Sequence, residues 1–272
     1  MISLSPELKK VILDAVREYL AAVPEAGGPS LVKIESALDQ QRAKLIDEKI
    51  KPLLTGYFDG SVPLPIFKRQ IDGINKQNQL WGFKGIKGQM FFNMLVNNAK
   101  SENESDSELK SALLVPANDE VAARQLRKFH EYVVRVGDQL IAAGGDRNSR
   151  PKPSGVPFFV SYFWQIQNRN IWPVYYTNSV QVITAMNLWQ ETGEVDQDYL
   201  SYKRLHEGLI ELIVKEQGQA FTLYDVEHVF WFKGGRLLVP PPQIRRRVRQ
   251  KRQLALSNPK PKLGPQVIEV SR

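Results

Sequence analysis

After Ser5 and Pro6, Leu8, Val11, Ile12, Ala15, Val16 and Tyr19 recur at helical spacing. The serine hydroxyl can cap a free backbone N–H, and a proline at the first helical position has no N–H to lose. An amphipathic helix is therefore predicted here, closed by Pro24 and the turn Gly27-Gly28-Pro29. A second helix is predicted over about 31–54, with Leu31, Ile34, Leu38, Leu45, Ile46 and Ile50 on one side and Pro52 ending or kinking it. Turn residues fill 56–65, and Ile66, Phe67, Ile71 and Ile74 restart a helix that fades near Gln77. A glycine-punctuated turn at 82–88 then feeds an apolar helix carrying Met90, Phe91, Met94 and Leu95.

The segment SENESDSE at 101–108 is acidic and has no apolar partner, so it reads as an exposed linker between two halves. Beyond it, Ala122, Leu126, Phe129, Val133, Val136, Leu140 and Ala143 alternate steps of four and three, a seam suited to packing against another helix and closed by Gly144-Gly145. The polar loop DRNSRPKPSG follows. Further helices are predicted near 157–167, 179–191, 197–217 and 223–231. Of these the third is marked by Asp196 as a cap, and the fourth by Thr222 and Asp225 at capping-box spacing. From Pro240 the chain runs PPPQIRRRVRQKRQ and NPKPKLGP, the composition of a linker or tail. The pattern predicts an all-α or nearly all-α protein in two packed halves: 1–100, an acidic linker at 101–117, an aromatic-rich half at 118–239, and a flexible basic tail at 240–272.

Composition changes this picture in three ways. At 272 residues and 42% apolar content the chain can bury a real core. The net charge of +8 is a property of residues 240–272, which hold nine Lys or Arg against the single acid Glu269; the rest balances at 28 basic and 28 acidic side chains, so no generally basic surface is indicated. With no cysteine, disulfide scaffolds, thiolate metal sites and cysteine nucleophiles are excluded. No apolar run reaches the roughly 18 residues of a membrane helix, and neither a signal peptide nor a lipidation motif is visible. The cytoplasm is the expected compartment, with no membrane partner.

Patterns for catalysis are scarce. A phosphate-binding P-loop, a G-x-S-x-G nucleophile turn and a G-x-G-x-x-G dinucleotide loop are all missing from the sequence. His130 and His206 are each followed by glutamate, but neither pair has the second histidine that a helical zinc site needs, and all three histidines, His228 included, read as surface or core residues. Glu7 with Lys9, Asp47 with Lys49 and Glu108 with Lys110 match only the bare spacing of a metal-dependent nuclease. No catalytic residue, metal site or cofactor is assigned, and the chain reads as a binding module, not an enzyme.

The most informative stretch is Trp81-Gly82-Phe83-Lys84-Gly85-Ile86-Lys87-Gly88, with three glycines at spacing three leading into a helix. Free backbone N–H groups there, the positive end of the helix, and Lys84 and Lys87 could hold a nucleic-acid phosphate. The loop is similar to a helix-hairpin-helix, departing from it where Lys87 replaces a glycine. The alternative is that the glycines permit a sharp corner while Trp81, Phe83 and Ile86 pack inward. Candidate nucleic-acid contacts are Lys84, Gly85, Lys87 and Gly88 in the loop, and Arg245, Arg246, Arg247, Arg249, Lys251 and Arg252 in the tail. Phe158, Phe159, Tyr162, Phe163, Trp164, Trp172, Tyr175, Tyr176 and Trp189 either build the core of the second half or wall a pocket that could stack a base.

The line IDGINKQNQLWGFKGIKGQMFFNMLVNNA, followed by SYFWQIQNRNIWPVYYTNSVQVI and WQETGE, resembles the N-terminal helical modules of prokaryotic McrB-like restriction and anti-phage defence proteins over roughly 60–235. That resemblance implies a recognition or assembly module whose effector, an ATPase or nuclease, lies on a further domain or a partner chain. The leading expectation is nucleic-acid recognition, DNA foremost; the alternative is a helical protein-interaction scaffold that docks partner helices on the 122–143 seam and the aromatic half.

Overall fold

In a computed structural model, residues 5–24, 27–78, 80–83, 85–218 and 220–235 are described. Among them the chain is helical, with no strand: α1 Pro6–Ala21, α2 Leu31–Leu45, α3 Lys51–Phe58, α4 Leu64–Asn78, α5 Phe91–Asn98, α6 Glu102–Leu113, α7 Asp119–Ala142, α8 Val156–Gln167, α9 Thr177–Ala185, α10 Val195–Gln217 and α11 Leu223–Lys233. None of these helices is long and apolar enough to cross a membrane.

Local chemistry accounts for most of the boundaries. Ser5 Oγ accepts from Leu8 N–H at 3.3 Å, and Ile12, Ala15, Val16 and Tyr19 of the predicted stripe are buried, whereas Val11 is exposed. The Thr222–Asp225 capping box forms in both directions, as its spacing predicts. Pro52 neither ends nor breaks its helix. One π-helical turn, Ile46–Ile50, joins α2 to α3, and the Lys51 N–H reaches the Ile46 carbonyl. The wider turn gives the proline ring room where a regular α turn would place a carbonyl against it. Asp196 is not the cap of α10 but sits in its first turn, buried and paired with Arg127 at 2.7 Å.

The acidic linker expected at 101–117 is instead mostly helix α6, packed against α7 and α8. Ser101 Oγ caps it by accepting from Glu104 N–H at 3.2 Å. Leu109, Ala112 and Leu113 are buried. Polar contacts add to this: Trp164 Nε1 donates to the Ala112 carbonyl at 2.9 Å, and the Ser105 and Tyr132 hydroxyls lie 2.7 Å apart. The polar stretch thus carries a cap, a short apolar foot and hydrogen bonds to distant side chains, all of which a linker lacks.

One hydrophobic cluster runs from Ile12 to Phe230 through both expected halves. The α7 seam lies inside it, since Ala122, Leu126, Phe129, Val133 and Val136 are buried against the chain's own helices. The aromatic run is core as well: Phe159, Phe163 and Trp164 are fully buried, and Phe159 lies 5.0 Å from Phe91, 5.3 Å from Phe92 and 6.3 Å from Phe129 between ring centroids.

Candidate functional site

The corner at residues 81–88 is held by its own backbone. Phe83 N–H donates to Leu80, Gly85 N–H to Gly82, Gly88 N–H to Gly85, and Gln89 N–H to Phe83 at 2.6 Å. The backbone donors expected to cradle an anion are therefore already used at Gly85, Gly88 and Gln89. Gly82 takes a positive φ of 85°, and an added Cβ on Gly88 would lie 2.1 Å from the Phe83 carbonyl oxygen, so both glycines are required by geometry. Phe83 packs inward on Phe159, Tyr162 and Phe163, but Ile86 does not: it is exposed. The corner reading holds for the glycines, and the surface the corner presents is side chain.

That surface forms one side of a cleft of about 1010 Å³. Gly85, Ile86 and Lys87 stand at its edge, next to Lys152, Ser154 and Gly155 of the short turn before α8. Glu35, Leu38 and Asp39 on α2 face them with His228 and Trp231 on α11, while Trp81, Phe158 and Tyr176 supply aromatic walls. Of the predicted contacts, Gly85 and Lys87 are brought together here, and Gly88 is buried behind them. Lys84 and the tail residues Arg245, Arg246, Arg247, Arg249, Lys251 and Arg252 lie outside the described residues. Burial lowers the Lys87 pKa, opposed by the charge of Glu191.

Beneath the cleft lies a buried polar network. Arg42, 2% exposed, donates from Nη1 to Glu227 Oε2 at 3.3 Å, and from Nη2 to Gln165 Oε1 at 2.6 Å and the Tyr176 hydroxyl at 3.3 Å. Gln165 Nε2 completes the ring by donating to Glu227 Oε1 at 2.5 Å. Burial raises the Glu227 pKa, and Arg42 opposes it. The guanidinium also lies 4.3 Å from the Tyr224 ring centroid and 5.0 Å from that of Trp81. Trp81 itself takes φ 28° and ψ 57°, a backbone region that a bulky L-residue occupies only when its surroundings over-determine it. Arg42 thus sits behind the aromatic wall and helps to fix an indole that borders the cleft.

On the α2–α11 wall, His228 Nε2 is 3.5 Å from Asp39 Oδ1 and 3.7 Å from Glu35 Oε2. Burial opposes the imidazolium, but Asp39, Glu227 and Glu35 outweigh it and raise the His228 pKa. Glu35 moves upward as well, through burial first. His206, by contrast, is a core histidine.

No family model, curated protein or solved structure matches the chain. The cleft's own chemistry carries the functional reading. No catalytic constellation emerges from it: the three carboxylate–lysine spacings fall on helices or the π-helical turn, not on a strand, and among the described residues no group of three or more His, Asp or Glu is arranged for a metal. Sequence reasoning missed Arg42, Gln165, Glu227, Glu35, Asp39, His228 and Lys152. A signal was present on α2, where Glu35, Asp39 and Arg42 interrupt the apolar stripe between Leu31 and Ile46 at helical spacing. Polar residues at core positions need partners, and those partners come from α8 and α11, more than a hundred residues away.

Proposed function

We propose that this chain is a nucleic-acid recognition module, directed chiefly at DNA, that takes one unpaired base into the cleft while Lys87 and Lys152 meet the adjoining phosphates. The supporting observation is the combination of aromatic walls, two lysines and a hydrogen-bonding wall in one cleft large enough for a nucleotide. The basic residues 245–252 add sequence-independent attraction for the backbone. The resemblance to McrB-like modules fits this role within a cytoplasmic defence or restriction-type complex, with an ATPase or nuclease as the effector.

Fluorescence anisotropy of the full chain with labelled single-stranded and fully paired DNA tests the reading. Tighter binding to the unpaired strand, with at least a tenfold loss in Lys87→Glu and a folded circular-dichroism spectrum, is the expected result. Equal binding of both DNA forms, unaffected by Lys87→Glu, would defeat it. The runner-up is a protein-interaction scaffold; exposed Leu38 and Ile86 at the cleft favour it, whereas the α7 seam it would use is buried in the core.

A further inference from the structure

The acid–histidine wall of the cleft has fewer donors than acceptors. Glu35 is only 9% exposed and lines the cleft, yet its carboxylate takes part in no hydrogen bond among the described residues; its nearest polar contact, His228 Nε2, is 3.7 Å away, beyond hydrogen-bond reach. The same Nε2 faces Asp39 Oδ1 at 3.5 Å. One imidazole nitrogen can give one proton, and two carboxylates offer four oxygens. Buried acceptors are ordinarily satisfied, and an unsatisfied carboxylate nine-tenths buried at the edge of a ligand-sized cleft is a place where a ligand's donor completes the set.

The opposite wall sets the ligand's orientation. Lys87 and Lys152, on the 86–90 turn and the segment before α8, attract the anionic part of a ligand, while Trp81, Phe158, Tyr176 and Trp231 take its planar part. A planar ring anchored by phosphate on the lysine side turns its far edge toward Glu35 and Asp39. What that edge must carry is an N–H₂ group, because carboxylates accept and cannot donate.

Resting on the nucleic-acid reading above, we infer that Glu35, with Asp39 beside it, selects bases that bear an exocyclic amino group, adenine or cytosine, over thymine, by accepting a hydrogen bond from that group. A carbonyl oxygen at the same place meets a carboxylate and is repelled. Replacing the amine by hydrogen leaves the acceptor unpaired, so both losses weaken binding.

The test uses the full chain and a short labelled oligothymidylate in which one central nucleotide is thymine, adenine, cytosine or purine, the last being adenine without its amino group. Adenine and cytosine should bind about tenfold more tightly than thymine and purine. In Glu35→Gln the adenine-to-purine ratio should fall close to one; if that protein does not fold, Asp39→Asn, whose side chain is more exposed, should reduce the same ratio. Measurable binding with all four nucleotides equal within twofold overturns the inference and leaves the nucleic-acid reading standing. A preference for adenine over purine that persists unchanged in folded Glu35→Gln and Asp39→Asn overturns it too. Absence of binding to every oligonucleotide removes the nucleic-acid reading and this inference with it, and selective capture of a lysine- or arginine-bearing peptide would instead assign the acceptors to a protein ligand.

Discussion

Single residues in this protein divide between those whose role follows from their own chemistry and those whose role follows from what the fold puts beside them. Gly88 belongs to the first kind. Its hydrogen stands where a Cβ would meet the Phe83 carbonyl at 2.1 Å, whereas at Gly85 the nearest backbone oxygen would be 3.3 Å away. Gly88→Ala should cost roughly 3 kcal/mol, since backbone must move, and Gly85→Ala under about 1 kcal/mol. Urea unfolding of both variants checks the order, and equal losses would show that the corner is softer than its hydrogen bonds indicate. His206 belongs to the second kind. The Tyr202 carbonyl accepts from its Nδ1 at 2.9 Å, Nε2 has no hydrogen-bond partner, and burial lowers its pKa to about 4. The folded value lies below the unfolded one, so the unfolded chain takes up the proton first as the pH falls. Stability is intact above about pH 6.5 and is lost progressively toward pH 4, by about 3 kcal/mol for this group. The unfolding free energy of His206→Gln should therefore be flatter over that window than the parent's, and parallel pH profiles would refute the assignment.

Helices set what those residues can reach. α2 carries Glu35, Asp39 and Arg42 on its inner side, and the π-helical turn at 46–50 lets it continue into α3 past Pro52, so both the cleft wall and the buried network hang from one long helical run. Removing one partner of the Arg42–Glu227 pair leaves a buried charge. Arg42→Met or Glu227→Gln alone should cost about 3–5 kcal/mol, and the double change less than the sum of the two. A double-mutant cycle in urea measures this, and strict additivity would show that the pair is not coupled. α6 gives a second case. Trp164 Nε1 ties its end to α8 through the Ala112 carbonyl, so Trp164→Phe should cost about 1–2 kcal/mol and speed amide exchange across 102–113 ahead of the other helices. The S-x-x-E spacing of Ser101 and Glu104 was a legible helix start. The polar partners Tyr132, Trp164 and Tyr57 were not, because they lie in other helices.

Across the whole molecule, one core joins the parts that the sequence pattern divides into two. Unfolding should follow a single cooperative transition, with circular dichroism and tryptophan fluorescence coincident in urea; two separated transitions would restore the two-half organisation. The basic residues of 240–272 and the cleft should contribute separately to nucleic-acid affinity. Deleting 240–272 is expected to weaken binding to any DNA and flatten its salt dependence, since fewer counterions are released, while leaving the preference for an unpaired strand. Anisotropy titrations across a range of salt concentrations check this, and a deletion that removes the preference as well would place recognition in the tail.

The sequence by itself determined the helices, because helical periodicity, Ser5, Thr222 with Asp225 and the glycine stops act within a few residues of one another. It also showed that residues 81–88 form a corner and that Lys87 lies beside it. Only the tertiary structure decided that the corner's backbone donors are spent internally, that the acidic stretch is a packed helix, and that Arg42, Glu227 and Gln165 meet beneath a cleft edged by Glu35, Asp39 and His228. The reason is physical: periodicity and capping are local, whereas a buried charge is stable only beside partners that the packing of distant helices supplies.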